Sequence, residues 1–83
     1  MLDFSAPANL EVIDYSHNDI TVIENVLFNP YLKHICLDDN KIGRIEGLTS
    51  NRSLISLSLR QNQIVKIQNL DDLNLEELNL SQN

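Results

Sequence analysis

Apolar residues recur along the chain in phase with four asparagines. Asn18, Asn40, Asn62 and Asn83 are spaced by 22, 22 and 21 positions. Apolar residues stand eight, five and three positions before each asparagine: Leu10, Ile13 and Tyr15; Leu32, Ile35 and Leu37; Leu54, Leu57 and Leu59; Leu75, Leu78 and Leu80. Two isoleucines follow each of the first three asparagines: Ile20 and Ile23, Ile42 and Ile45, Ile64 and Ile67. The sequence is therefore a tandem repeat, with three full copies and the first half of a fourth.

Each repeat predicts one short strand followed by a turn. Strand side chains alternate between two faces, so the two apolar residues nearest the asparagine point inward and their neighbours point outward. The asparagine turns the chain, because its side-chain amide can bond backbone groups that the turn leaves free. Stacked copies of the four asparagines are expected to form a buried ladder. The isoleucines return as extended chain or 3₁₀ turns, and the core is completed by Val26, Leu48 and Leu70.

The pattern L-x-x-L-x-L-x-x-N-x-I-x-x-I indicates a leucine-rich repeat. The predicted fold is a right-handed α/β solenoid with a parallel β-sheet on its concave face and extended or 3₁₀ segments on its convex face. The segment 1–83 divides into the tail of a preceding repeat, three full repeats and half of a fourth: 1–9, 10–31, 32–53, 54–74 and 75–83. Neither end carries the polar cap that a solenoid needs, so we expect a piece of a longer solenoid.

Charge and cysteine content exclude several classes of function. The 83 residues carry 12 Asp and Glu against 6 Lys and Arg, a net charge of −6, whereas nucleic acids and anionic membranes require clustered positive charge. A single cysteine excludes an internal disulfide framework and a cysteine-based zinc site. The sequence shows neither a signal peptide nor an apolar run of about 18 residues. We therefore expect a protein partner in the cytoplasm, with no nucleic acid, membrane or small-molecule substrate.

The repeat length and motif resemble the short cytosolic class of leucine-rich repeats, which includes the regulatory subunit of protein phosphatase 1 and many ciliary and centrosomal proteins. The stretches 9–18, 37–42 and 57–64 resemble the repeats of leucine-rich repeat proteins that carry a guanylate kinase domain. The resemblance implies a cytoplasmic, non-catalytic scaffold linked to cilium or flagellum assembly. Asn29 and Asn51 depart from this class, which commonly has leucine there as at Leu73. Phe28 is expected to fill part of the first gap.

The outward-facing strand residues of the four copies form columns, and a solenoid binds partners through such a jointly built surface. We expect the partner-binding concave face to include Val12, Asp14, Ser16, His34, Cys36, Asp38, Asp39, Ser56, Ser58 and Arg60. Acidic residues concentrate on the N-terminal side of these columns, and no large aromatic offers a hot-spot anchor. One hypothesis is therefore a partner with a basic segment. The alternative is a solvated face, with the binding site in other repeats.

Candidate catalytic chemistry is sparse. His34 and Cys36 share a strand face near several acids, but a shallow, open face lacks the water exclusion and supporting contacts that a metal site or nucleophile needs. The sequence has no P-loop; its two glycines are Gly43 and Gly47, both in a return segment. We predict no catalytic residue, cofactor or metal ligand. Three hypotheses stay open: an interaction scaffold at a microtubule-based structure, a protein phosphatase regulatory subunit, and a targeting module of a fused guanylate kinase-like enzyme.

Overall fold

The computed structural model describes residues 11–24, 31–48, 51–71 and 73–83. It contains one short strand per repeat: β1 (Val12–Asp14), β2 (His34–Cys36), β3 (Ser56–Ser58) and β4 (Glu77–Asn79). The strands form a single sheet in the order β1-β2-β3-β4, and every neighbouring pair is parallel. The described return segments contain no α- or 3₁₀-helix. None of the described segments forms a helix of the length and hydrophobicity that crossing a bilayer requires.

The strand register places equivalent repeat positions side by side, as the spacing predicts. The central strand residues Ile13, Ile35, Leu57 and Leu78 pair in succession. The first three of these side chains join the isoleucines of the return segments in one buried cluster. The buried core comprises Ile13, Ile20, Ile23, Leu32, Ile35, Leu37, Ile42, Ile45, Leu48, Leu54, Leu57, Leu59 and Ile64. The predicted parallel sheet is confirmed and is compatible with a leucine-rich repeat; the right-handed solenoid stays a prediction.

The return segments contact one another through their backbones at one recurring position. Gly47 has a φ of 77°, and a Cβ there would lie 2.7 Å from the carbonyl oxygen of Ile23 in the preceding repeat. Asn69, one repeat later, also has a positive φ, 61°. Its side-chain Nδ2 donates to the carbonyl oxygen of Ile45 at 2.7 Å. The left-handed backbone at this position therefore lets each return segment approach the one before it closely.

The departure from the repeat pattern at Asn51 leaves the local turn unchanged. Asn51 is fully buried, and its backbone N–H donates to the carbonyl oxygen of Leu48 at 3.0 Å. Leu73 makes the same turn one repeat later, donating to Leu70 at 3.1 Å. Asparagine thus occupies the buried position that leucine has in the next repeat. The expectations for 1–9, Leu10, Val26, Phe28 and Asn29 fall outside the described residues.

Two predicted core residues in the last copies are exposed instead. Ile67 is 68% exposed, whereas its equivalents Ile23 and Ile45 are buried. Leu78 is 40% exposed although it occupies the central position of its strand. Leu80, also predicted to point inward, is only partly buried. Each lies at the β4 end of the sheet, where the described residues include no further repeat to cover it.

Candidate functional site

The outward-facing residues of the strands form two aligned rows across the sheet. The first row contains Val12, His34, Ser56 and Glu77, and the second contains Asp14, Cys36, Ser58 and Asn79. The predicted partner-binding positions within these strands therefore lie on one side of the sheet, and Ser16, Asp38, Asp39 and Arg60 follow the strand ends. Side chains of the first row are half-buried or exposed. This side of the sheet, which the repeat pattern predicts to be concave, is called the concave face below.

Asp14 is the last residue of β1, and its side chain accepts hydrogen bonds from the turn that follows. Its Oδ1 accepts hydrogen bonds from the Ser16 hydroxyl at 2.6 Å and from the Ser16 backbone N–H at 3.0 Å. These bonds, the hydroxyl first, hold the pKa of the Asp14 carboxyl below its ordinary value of 3.8. Asn79 makes the same pair of contacts with Ser81 at the end of β4, at 2.9 and 3.1 Å. An amide therefore supports this turn as a carboxylate does.

Asp38 joins the second repeat to the third. Its Oδ1 accepts from the Ser58 hydroxyl at 2.6 Å and from the Arg60 backbone N–H at 2.9 Å. Arg60 continues the chain of contacts, because its Nε donates to the Ser81 hydroxyl at 3.0 Å. The carboxylate of the half-buried Asp38 therefore connects the second and third repeats through these hydrogen bonds. Its sequence position alone suggested a partner-facing acid.

Polar side-chain contacts link the first and second repeats beyond the ends of β1 and β2. His17 Nδ1 lies 2.8 Å from Asp39 Oδ2, and the two side chains are 76% and 55% exposed. Lys41 pairs with Asp19 at 3.4 Å. Such exposed pairs contribute about 0–1 kcal/mol each. Asp19 and Asp39 nevertheless already have intramolecular partners.

Cys36 is a half-buried thiol in the middle of the concave face. Burial raises its pKa above the ordinary 9.0, and the nearby carboxylates of Asp38 and Asp14 raise it further, against a backbone hydrogen bond from Asp38 that lowers it. A raised pKa keeps the sulfur protonated and weakly nucleophilic at neutral pH. Within the described part of the chain, no three His, Cys, Asp or Glu side chains gather in a way that could hold a metal ion.

The asparagine side chains connect successive repeats through a repeated set of bonds. Asn62 Nδ2 donates to the carbonyl oxygens of Leu59 and Arg60 in its own repeat and of Leu37 in the preceding one, at 3.0–3.1 Å. Its Oδ1 accepts from the backbone N–H of Ile42 at 3.0 Å. The amides of Asn40 and Asn83 make the equivalent cross-repeat bonds. Of the four asparagines that end the strand motifs, Asn40 and Asn62 are buried, at 7% and 8% exposure.

The outer two asparagines differ from the buried ladder expected from the sequence. Asn18 is exposed, and among the described residues its Nδ2 donates to the carbonyl oxygens of Tyr15 and Ser16 in its own turn. Asn83 is exposed as well, because no further repeat among the described residues lies over it. The two buried asparagines, Asn40 and Asn62, are those with a described strand on each side of their own.

A turn feature that sequence reasoning missed stands immediately before each asparagine. The backbone φ is between 56° and 60° at His17, Asp39, Gln61 and Gln82. Left-handed backbone is costly for residues other than glycine, and asparagine and aspartate tolerate it best. The available signals were the fixed position in all four copies and the histidine and aspartate in the first two, since these residues adopt left-handed backbone more often than glutamine does.

Comparison with known proteins supports the repeat assignment. The sequence is similar to "Leucine-rich repeats and immunoglobulin-like domains protein 1" from Homo sapiens, with 39% identity over 66 residues. The match includes 71% of this chain but 6% of that protein, so the chain spans a small part of its relative's length. No protein-family model matches the sequence. The similarity supports the leucine-rich repeat resemblance and suggests a protein-interaction role.

Proposed function

We propose that this chain is a non-catalytic protein-interaction module that binds a partner segment carrying Lys or Arg on its concave face. The supporting observation is the strand register, which aligns outward-facing side chains of all four strands on one surface. An extended segment lying across the strands would contact several repeats at once. Such a surface forms only when the repeats stack, so recognition would depend on the intact fold.

Asp14 is the acid on this face best placed to meet a cationic side chain. Asp38 and Asp39 are bonded to neighbouring repeats. The bonds from Ser16 to Asp14 stay within its own turn and involve one oxygen, and the Cys36 thiol of the next repeat adds a hydrogen bond to this carboxyl. Its side chain is exposed, and its lowered pKa keeps it ionised at neutral pH. An incoming Lys or Arg would thus meet a fixed, charged carboxylate at the start of the second row.

The test uses Asp14→Asn, because Asn79 shows that an amide keeps this turn in place. The probe is a fluorescent octalysine peptide, with octaglutamate as the sequence control, measured by anisotropy over a salt series. Asp14→Asn should weaken octalysine binding about 2- to 5-fold and flatten its salt dependence, as expected for one exposed ion pair. Asn79→Asp should strengthen binding by a similar factor.

A matched control separates a local contact from the overall charge of the protein. Asp71→Asn removes the same charge from an exposed turn between β3 and β4, and it should change octalysine binding less than Asp14→Asn does. Equal effects of the two variants would show that octalysine senses only the net charge of −6. That outcome would rule out the acidic concave site.

The sequence resemblance also supports proposals about the cellular location of the module and the kind of assembly it joins. We propose a cytoplasmic module, at a cilium or another microtubule-based structure. As alternatives, a phosphatase regulatory subunit should bind the purified catalytic subunit of protein phosphatase 1 directly, and a targeting module of a guanylate kinase-like enzyme should lie in the same chain as a P-loop. Co-sedimentation with microtubules, phosphatase binding and sequencing of the full transcript distinguish these three roles.

A further inference from the structure

Arg60 brings a positive charge to a face whose other charged positions are acidic. It is the one Lys or Arg among the predicted partner-binding positions. Its Nε donates to the Ser81 hydroxyl at 3.0 Å, and that hydroxyl donates to Asn79 Oδ1 at 2.9 Å. Because Asn79 belongs to the second row of the concave face, these contacts hold the guanidinium beside that row. Arg60 is also half-buried, so its side chain is partly fixed before any partner binds.

The guanidinium of Arg60 has no carboxylate partner among the described residues. Lys33, Lys41 and Arg44, by contrast, form ion pairs with neighbouring acids. Asp38 accepts the backbone N–H of Arg60 rather than a guanidinium N–H. The bond to the serine hydroxyl uses Nε, so the two terminal amino groups of the guanidinium can bind the two oxygens of one carboxylate. Arg60 is therefore a candidate site for an acidic group of a partner.

Asp14 and Arg60 lie at a fixed separation on the concave face. Asp14 pairs with Cys36, and Cys36 pairs with Ser58, so two strand spacings of about 4.8 Å separate the first residue from the third. Arg60 follows Ser58 by two residues, which adds about 7 Å along the strand direction. The α-carbons of Asp14 and Arg60 are therefore about 12 Å apart. The concave face thus presents a negative and a positive charge at two separate points.

This separation fits two side chains of one extended segment. Residues four positions apart in an extended chain have α-carbons about 13 Å apart and side chains on the same side. Residues three positions apart have side chains on opposite sides. In a helix, residues four positions apart are separated by about 6 Å along the axis, which is half the distance required. An extended segment with a basic and an acidic residue four positions apart therefore matches both charges.

We propose that the concave face selects an extended segment of another protein in which a Lys or Arg stands four positions from an Asp or Glu. The basic residue pairs with Asp14, and the acidic residue pairs with Arg60. This inference rests on the proposed function for the Asp14 contact and adds the requirement for an acid. Opposite charges at two fixed points give specificity, because a segment with two basic residues would bring one of them against Arg60.

The probes are three nine-residue peptides of serine and glycine that carry one lysine and one second residue. The second residue is glutamate four positions from the lysine, glutamine at that same position, or glutamate three positions from the lysine. Binding to the whole 83-residue protein is followed by backbone amide shifts in NMR at millimolar peptide concentration. The peptide with glutamate four positions away should bind about 2- to 5-fold more tightly than the other two, as one added ion pair predicts. The shifts should include Ser16 and Arg60.

Variants of Arg60 test its part in this preference. Arg60→Gln should bind the glutamate and glutamine peptides equally, because the guanidinium is lost. Arg52→Gln removes the same charge from an exposed turn before β3 and should keep the preference. Arg60→Glu should reverse it, so that a peptide with lysine at both positions binds about 2- to 5-fold more tightly than the lysine–glutamate peptide. Loss of folding cannot produce this reversal.

The outcomes separate this inference from the proposed function. If Asp14→Asn weakens octalysine binding but the original protein binds the glutamate and glutamine peptides equally, the acid requirement is wrong and the acidic concave site stands. Equal loss of the preference in Arg52→Gln and Arg60→Gln would also overturn the inference, because net charge alone would then explain it. If Asp14→Asn leaves octalysine binding unchanged, the proposed function and this inference both fail. Self-association in sedimentation that Arg60→Glu abolishes would contradict a segment of another protein, because a second copy of this chain would then be the occupant.

Discussion

Leu57 and Leu78 occupy the same place in the repeat, at the centre of β3 and β4, and differ in their surroundings. Leu57 is 1% exposed and Leu78 is 40% exposed. The asparagines of the same copies show a parallel contrast, since Asn62 is buried and Asn83 is exposed. The motif therefore sets which way a residue points, whereas its burial depends on the repeat stacked beyond it. Stability at any motif position should accordingly follow the number of neighbouring repeats.

The largest expected difference between the two regions is at the strand centres. Leu57→Ala should cost about 2–5 kcal/mol, because it leaves a cavity among fully buried neighbours, and we expect it to unfold a domain of this size. Leu78→Ala should cost about 1 kcal/mol or less, because much of the side chain is already in water. Far-UV circular dichroism and urea unfolding measure both variants. Similar losses at the two positions would contradict the dependence on a neighbouring repeat.

A smaller difference is expected at the asparagines. Asn62→Ala removes the acceptor of the buried Ile42 N–H and the donor to Leu37 O, so it should cost about 1–3 kcal/mol. Asn83→Ala makes the same change at a partly exposed site and should cost about 1 kcal/mol or less. Amide hydrogen exchange at Ile42 and Ile64 reports each site directly. Equal losses of protection at both amides would argue against a role for burial.

The comparison also shows what the sequence can and cannot predict. The spacing predicted four parallel strands in register, because inward- and outward-facing residues alternate with a fixed phase in each copy. Exposure of Leu78 and Ile67 was not predicted, since it depends on what stacks against the last repeat. The bonds of Asp38 were also missed. They depend on Ser58 and Arg60 in the next repeat. The repeat motif does not specify which residues occupy these two positions.

At the left-handed turn residues, the stability changes in the third and fourth repeats are expected to be the same. Gln61 and Gln82 have positive φ in the third and fourth copies, and asparagine adopts this conformation more readily than glutamine. Gln61→Asn and Gln82→Asn should each stabilise the fold by about 0.5 kcal/mol, because backbone strain is local. Urea unfolding midpoints compare the two variants. A gain at Gln61 alone would mean that neighbouring repeats, rather than the turn itself, set the preference.

The smallest expected effect concerns the two equivalent turns of Asp14 and Asn79. Hydrogen bonds from Ser16 lower the pKa of the folded Asp14 carboxyl below 3.8, so ionised Asp14 stabilises the fold above that pH. This contribution is lost as the pH falls from about 3.8 through the lower folded pKa. The original protein should therefore lose slightly more stability between pH 5 and pH 3 than Asp14→Asn, measured by urea unfolding.

Asn79→Asp should acquire the same additional acid sensitivity, because its carboxylate would take over the bonds to Ser81. An unchanged pH profile in both variants would show that the two turns are equally stable with either side chain, charged or neutral.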